Sequence, residues 1–151
     1  MRVLGIRVSP QGARYAIVEY DDGVAIFVNH DSENKLDFPA TVSTIAGKSR
    51  WLYMELERII SKYPDLEWII AKENEYGSET AKRRESTYLL GAVFLFSAQH
   101  NINSRPVLYT QLKTNGSRVK EFAETNIGRS SQYWDTQMAD AVAATSITKG
   151  G

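Results

Sequence analysis

The run Val3-Leu4-Gly5-Ile6-Arg7-Val8 constrains this chain more than any other segment. It is apolar except at Arg7 and is closed off by the turn sequence Ser9-Pro10-Gln11-Gly12. That leaves too few residues for a stable helix, so the run reads as a buried strand. A second strand is expected over residues 13–20, with Tyr15, Ile17 and Val18 as its apolar markers. Asp21-Asp22-Gly23 is a strong hairpin signal, and residues 24–29 supply a third strand. Three antiparallel strands at the start of a chain define a sheet against which all later elements must pack. Residues 36–38 either extend the edge of that sheet or follow it, before Pro39. A guanidinium inside the first strand needs an anionic partner if it is buried; an exposed edge face is the other way to place it.

The rest of the chain alternates. Ser49, give or take a few residues, is the expected N-cap of a helix carrying Leu52, Leu56, Ile59, Ile60 and Tyr63 at helical spacing, and Pro64 stops it. Residues 66–71 read as a fully buried strand ending in Lys72-Glu73-Asn74-Glu75. A helix over 79–99 begins polar and becomes strongly apolar from Leu89 through Leu90, Val93, Phe94 and Phe96. Another buried strand is expected over 107–112, then a loop from Lys113 to Gly116, a helix over 117–125, a polar loop over 128–132 and a small-residue helix over 136–145. The order βββ-α-β-α-β-α-α implies an α/β fold: a five-stranded mixed sheet with helices on its faces. Residues 1–147 are expected to form a single domain, with 148–151 as a flexible tail.

Composition narrows the chemistry. A chain of 151 residues with 42% apolar and 24% charged residues is ordinary for a globular protein. It buries roughly 70% of its unfolded surface on folding. No stretch approaches the ~20 apolar residues of a membrane span, and an N-terminal strand is expected in place of a signal segment. The absence of cysteine excludes disulfides, thiolate metal sites and cysteine catalysis, and fits a cytoplasmic protein. With 18 basic against 18 acidic residues there is no overall charge to attract nucleic acid, so such binding needs a local basic face. Only His30 and His100 are available as imidazole ligands. His100, at the end of the apolar helix, reads as a C-terminal cap, and His30 carries no assigned chemistry. No Gly-x-Ser-x-Gly elbow, P-loop or Gly-x-Gly-x-x-Gly is present.

Gly5-Ile6 on the first strand, Ile69-Ile70-Ala71-Lys72-Glu73 on the fourth, and Lys82-Arg83-Arg84-Glu85 leading into Leu89-Leu90-Gly91-Ala92 occur in a telling order. Val107-Leu108-Tyr109 through Lys113 and Gly116, then Met138-Ala139-Asp140-Ala141-Val142-Ala143, complete it. Together these segments, over nearly the whole chain, resemble the ribonuclease H-like superfamily, in particular RuvC-type Holliday junction resolvases and small bacterial proteins of similar length and order. The resemblance implies a two-metal phosphodiester hydrolase site in which three or four carboxylates hold paired Mg²⁺ ions about 3.5–4 Å apart. It implies one acid on the first strand, one at the end of the fourth and one or two on the last helix.

Glu73 and Asp140 match two of those acids, as catalytic or metal-binding remnants. Arg7 stands where the first-strand aspartate belongs, and Gln137, one helical turn before Asp140, stands where the last helix would carry its other acid. Arginine is never neutral at physiological pH. Arg7 is therefore expected to pair with Glu73 and Asp140, to repel Mg²⁺ and to abolish two-metal hydrolysis.

Three readings follow. The first is a protein with a degenerate site and no cofactor, binding DNA, RNA or a protein partner. Its phosphate contacts would come from Lys82, Arg83, Arg84, Lys113, Arg118 and Lys120, with Arg129 a further candidate, and its base stacking from Tyr76, Tyr109, Tyr133 and Trp134. The second is an active Mg²⁺-dependent nuclease with displaced acids: Glu73, Glu75, Asp140 and either Asp135 or Glu19. Asp135 is ~140° round the helix axis from Asp140, which counts against it. The third is an interaction module without nucleic acid, the helix over 89–96 serving a homodimer, although burial in the core is the competing use of that helix. Asn115-Gly116-Ser117 before a helix is a further, weak phosphate-binding candidate.

Overall fold

The computed structural model describes residues 1–148. β1 (Arg2–Ser9) and β2 (Gly12–Asp21) form an antiparallel pair in which Leu4 faces Ile17 and Arg7 faces Arg14. Asp22 and Gly23 follow, with φ of 50° and 77°. Positive φ at both central residues is the requirement of the tight turn that matches strand twist, which is why an Asp-Gly pair sits there. The chain returns as β3 (Val24–Phe27) beside β2. A short β4 (Lys35–Asp37) pairs with the other end of β2, Leu36 opposite Ala13. Between β3 and β4 the buried Asn29 accepts the Ile17 N–H at 2.7 Å and donates to the Glu33 carbonyl at 2.9 Å, tying that loop to the sheet.

β5 (Leu66–Lys72) joins the other side of β1 in parallel, and β6 (Asn103–Val107) joins β5 in parallel. The order β3-β2-β1-β5-β6 is the expected mixed sheet, and β4 adds a sixth, edge strand beside β2. Strand alternation sends Leu4, Ile6, Val8 and Ile69 to one face, where they meet Leu52, Leu56 and Ile59 of α1 (Ile45–Lys62) and Leu89, Val93 and Phe96 of α2 (Ala81–Gln99). Val3, Ile70 and Val107 go to the other face. There they pack with Val119 and Ala123 of α4 (Val119–Asn126) and with Met138, Ala139 and Val142 of α5 (Thr136–Ala144). The apolar run of α2 is thus core-facing, apart from Leu95.

α5 is buried along residues 138–144. Small side chains let it lie against β1, and Gly5 is the point of closest approach: a Cβ there would stand 1.9 Å from the Ala141 carbonyl oxygen. That contact sets the depth at which Asp140 enters the molecule. Among the described residues no helix is long and apolar enough to cross a membrane.

Several boundaries differ from the sequence expectation, with β3 ending at Phe27, α2 beginning at Ala81 and α4 at Val119, and three further differences bear on the fold. α1 is capped by Thr44, whose hydroxyl accepts the Gly47 N–H at 3.0 Å, and Ser49 lies inside the helix. The strand expected over 107–112 instead spans Asn103–Val107, and residues Tyr109–Leu112 form a short helix, α3. Of the apolar run after Pro106, Val107 still pairs with Lys72, whereas the residues beyond it pack without strand pairing. The first paired residues, Asn103, Ser104 and Arg105, are polar because β6 is an edge strand, where Pro106 is also tolerated. Finally, the part of the expected 148–151 tail that is described, Thr148, closes a 3-10 turn by donating its hydroxyl to the Thr145 carbonyl at 2.8 Å. Residues 149–151 lie outside the described residues.

Candidate functional site

β1 and β5 run in parallel with Gly5 opposite Ile70 and Ile6 opposite Ala71. Alternation then places Arg7 on the face of Val3 and Lys72 on the face of Ile70, both toward α5. They lie at the carboxyl ends of the parallel strands, where open α/β sheets carry their ligands. Asp140, 2% exposed, comes down from α5 between them, and Tyr109 arrives from the chain just after β6.

The resulting cluster is closely connected. Arg7 Nε lies 3.2 Å from Asp140 Oδ2. This is an ion pair without an aligned hydrogen bond, for the buried Nε–H has no acceptor in bonding geometry. Arg7 Nη1 donates to the Lys72 carbonyl at 3.2 Å and Nη2 to Asn74 Oδ1 at 3.0 Å. Tyr109 makes three contacts. Its hydroxyl donates to Asp140 Oδ1 at 2.6 Å, its backbone N–H donates to Glu75 Oε2 at 3.0 Å, and its ring centroid is 3.9 Å from Lys72 Nζ. Lys72 Nζ also donates to Glu75 Oε2 at 2.9 Å and to the Glu73 carbonyl at 2.5 Å. Two cations, Arg7 and Lys72, stand against two anions, Asp140 and Glu75.

Burial acts on four protonation equilibria of the cluster, those of Asp140, Lys72, Tyr109 and Glu75. It pushes the Asp140 carboxyl above its ordinary value, against the lowering effects of the Tyr109 hydroxyl, Arg7 and Lys72. It pulls the Lys72 ammonium below the usual lysine value, helped by Arg7 and opposed by Glu75 and Asp140. Burial and the Asp140 carboxylate raise the Tyr109 phenol, so its hydroxyl remains a donor. For Glu75, burial acts upward but is outweighed by the Tyr109 N–H and Lys72, and the carboxyl sits below its ordinary value.

The open side of the cluster is a cavity of about 310 Å³ lined by Arg7, Asn74, Lys82, Arg83, Ser86 and Gln137, among others. Asn74 spans it, accepting from Arg7 and donating to the Arg83 carbonyl at 3.0 Å, while Arg83 Nη2 donates to the Glu75 carbonyl. The sheet, the loop after β5 and the first turn of α2 are thereby linked.

Among solved structures, Thermus thermophilus RuvC bound to a Holliday junction substrate matches with a TM-score of 0.76 at 14% identity, covering 97% of this chain and 92% of that one. A further Thermus thermophilus RuvC structure gives 0.78 at 13% identity with the same coverage. The fold is ribonuclease H-like, of the RuvC type. The yeast mitochondrial Holliday junction resolvase has the same fold, at a TM-score of 0.62 and 15% identity over 98% of this chain and 78% of that one. Neither a protein-family model nor a curated protein sequence matches the chain. At these identities the likeness establishes the RuvC-type fold alone.

The metal ions that the family resemblance implies do not suit the residues present. A hard divalent cation needs several oxygen ligands carrying net negative charge. Here both carboxylates are already matched by cations, and among the described residues no group of three or more His, Cys, Asp or Glu is arranged to hold a metal. An ion beside Asp140 would face the Arg7 guanidinium directly.

The residues singled out from the sequence are only partly brought together. Arg7, Asp140, Gln137, Lys82 and Arg83 belong to the cluster or its cavity. Glu73 enters only through its backbone carbonyl, which accepts from Lys72, and the expected Arg7–Glu73 pair is not formed. The Glu73 side chain lies just beyond the last β5 residue and lines an adjoining cavity that shares Asn74 and Arg83 with the first. Lys72 holds the place beside Arg7 that Glu73 was expected to take. Of the displaced acids, Glu75 joins the cluster. Asp135 caps α5 and pairs with Arg14 at 3.2 Å, and Glu19 pairs with Arg2 at 2.8 Å near the opposite end of β1.

The basic residues also divide. Arg84 is exposed near Glu79, Arg118 and Lys120 are exposed on and just before α4, and Lys113 lines another cavity with Arg105 and Phe122. Tyr76 is 90% exposed in the loop after β5, whereas Tyr109 is committed to the cluster. Asn115 Oδ1 accepts the Ser117 and Arg118 N–H groups, so the amides that could have met a phosphate there are occupied. His100 caps α2, its N–H donating to the Phe96 carbonyl, and stacks on Phe96 at 4.3 Å.

Lys72 was missed because strand parity relative to β1 is not written in the sequence. A lysine closing the apolar run Trp68-Ile69-Ile70-Ala71 was the available signal.

Proposed function

We propose that this protein is a RuvC-like nucleic-acid-binding protein that has exchanged metal-dependent phosphodiester cleavage for metal-free binding. The carrying observation is the ion pair of Arg7 with Asp140, which fills with a guanidinium the place where the resemblance implies a metal-binding acid. A fixed positive charge there favours a phosphate group and disfavours Mg²⁺. Lys82, Arg83 and Gln137 line the same cavity and supply further donors, while the exposed ring of Tyr76 in the adjoining loop can stack on an unpaired base. Fold relatives that include a RuvC bound to a Holliday junction substrate and a Holliday junction resolvase support branched DNA as the first ligand to try.

The test is binding of labelled four-way junction, duplex and single-stranded DNA and RNA at several salt concentrations, with a parallel cleavage assay in Mg²⁺ and Mn²⁺. Salt-sensitive binding without cleavage is expected. Metal-dependent cleavage that vanishes in Asp140→Asn would overturn the reading, as would equal, negligible affinity for every polyanion.

A further inference from the structure

The two cations of the cluster are not equivalent. Arg7 keeps part of its guanidinium on the cavity, with 17% of its side chain exposed, whereas the Lys72 side chain is 1% exposed and directs its charge inward. Around Lys72 Nζ stand the Glu73 carbonyl at 2.5 Å, Glu75 Oε2 at 2.9 Å and the face of Tyr109 at 3.9 Å from the ring centroid. A carbonyl oxygen, a carboxylate oxygen and a π face make a cation cage, and here the cation is tethered to β5. Lysine suits this use because its charge is compact, unlike the planar fork of arginine. The cage also organises its surroundings. Tyr109, held by Glu75 through its N–H, orients its hydroxyl on Asp140 at 2.6 Å, so the Lys72 cage and the Arg7–Asp140 pair are joined through one side chain.

We infer that the Lys72 ammonium is a resident cation standing in for a divalent ion: it orders Glu75, Tyr109 and Asp140 from within. A divalent ion would bind at this point only after Lys72 and Arg7 lose their charges. The inference rests on the metal-free reading of the site, but not on nucleic-acid binding, and it is tested without any nucleic acid.

The first measurement uses the unaltered protein: NMR of the lysine ammonium groups and backbone amides during Mn²⁺ titration. A protected Lys72 ammonium signal, with no paramagnetic broadening centred on Asp140 and Glu75, is expected. Selective broadening there overturns the inference.

The second measurement is Mn²⁺ binding by Arg7→Asp/Lys72→Glu, read by calorimetry and by the shift of the thermal midpoint. Binding at least about tenfold tighter than in the unaltered protein, lost on adding Asp140→Asn, is expected. A folded double variant that binds no better refutes the idea. Should that variant not fold, Arg7→Gln/Lys72→Gln leaves Asp140 and Glu75 uncompensated, and the same gain of Mn²⁺ binding is expected in it. A folded Gln pair that gains nothing counts equally against the inference.

Discussion

Arg7 on β1 and Asp140 on α5 meet with Nε and Oδ2 3.2 Å apart, joining the central strand of the sheet to the helix packed over it. The same carboxylate accepts the Tyr109 hydroxyl through its other oxygen at 2.6 Å. A buried acid with both oxygens engaged is costly to remove, because each partner is left unmatched. Asp140→Ala is expected to lose about 3–5 kcal/mol in urea unfolding. A cycle with Arg7→Gln and Asp140→Asn should show a coupling of about 1–3 kcal/mol. Additive losses would mean that the pair contributes nothing as a pair.

Gly5 governs how closely α5 approaches the sheet. With the Ala141 carbonyl oxygen 1.9 Å from where a Cβ would stand, Gly5→Ala must push the helix outward. A loss of about 3 kcal/mol is expected, with a lower urea midpoint and weakened near-ultraviolet signal. A midpoint equal to that of the unaltered protein would show that α5 is not fixed at this contact.

Glu75 and Asp140 respond oppositely to acid. The Glu75 carboxyl is held below its ordinary value, so its stabilising contribution is complete above about pH 4.3 and lost as pH falls through the lower folded value. Asp140, raised by burial, weighs against folding as its charge develops with rising pH, and acid relieves that strain. With 37% of the Glu75 side chain exposed, solvent screens these contacts, and Glu75→Gln is expected to cost about 0.5–1 kcal/mol at pH 7 and progressively less toward pH 2. Urea unfolding at pH 7, 5 and 3 measures it; a penalty that grows in acid would contradict the assignment.

Lys82 is exposed at the start of α2 and lines the Arg7 cavity. If it meets a phosphate, Lys82→Gln should weaken binding of all nucleic-acid sequences alike and reduce the slope of log affinity against log salt by about 1. An unchanged slope would place the phosphate contacts elsewhere.

Much of the fold was legible because it rests on local rules. Asp22-Gly23 supplied a turn of the right hand, the alternation around Tyr15, Ile17 and Val18 supplied β2, and Leu52, Leu56 and Ile59 marked the buried stripe of α1. The expected position of β6 is too late because its first pairing residues, Asn103 to Arg105, are polar, as an edge strand permits, while the apolar residues beyond Val107 pack without pairing. In the candidate site Arg7 and Asp140 stood out as charges in apolar surroundings. Tyr109 was noticed only as an aromatic, and its three contacts depend on where α3 leaves the sheet.

By itself the sequence determined the order of the main strands and helices, without α3, and the presence of a glycine and an arginine within the first strand. Those follow from periodicity, turn chemistry and residue size, which act over a few neighbouring residues. Only the tertiary structure decided which charges face one another. The parallel register that sets Ile6 opposite Ala71 brings Lys72 to the α5 face and leaves Glu73 beyond the strand, off the cluster. Because side chains alternate along a strand, one step of register separates a carboxylate from an ammonium at the same point, and that step is set by long-range packing.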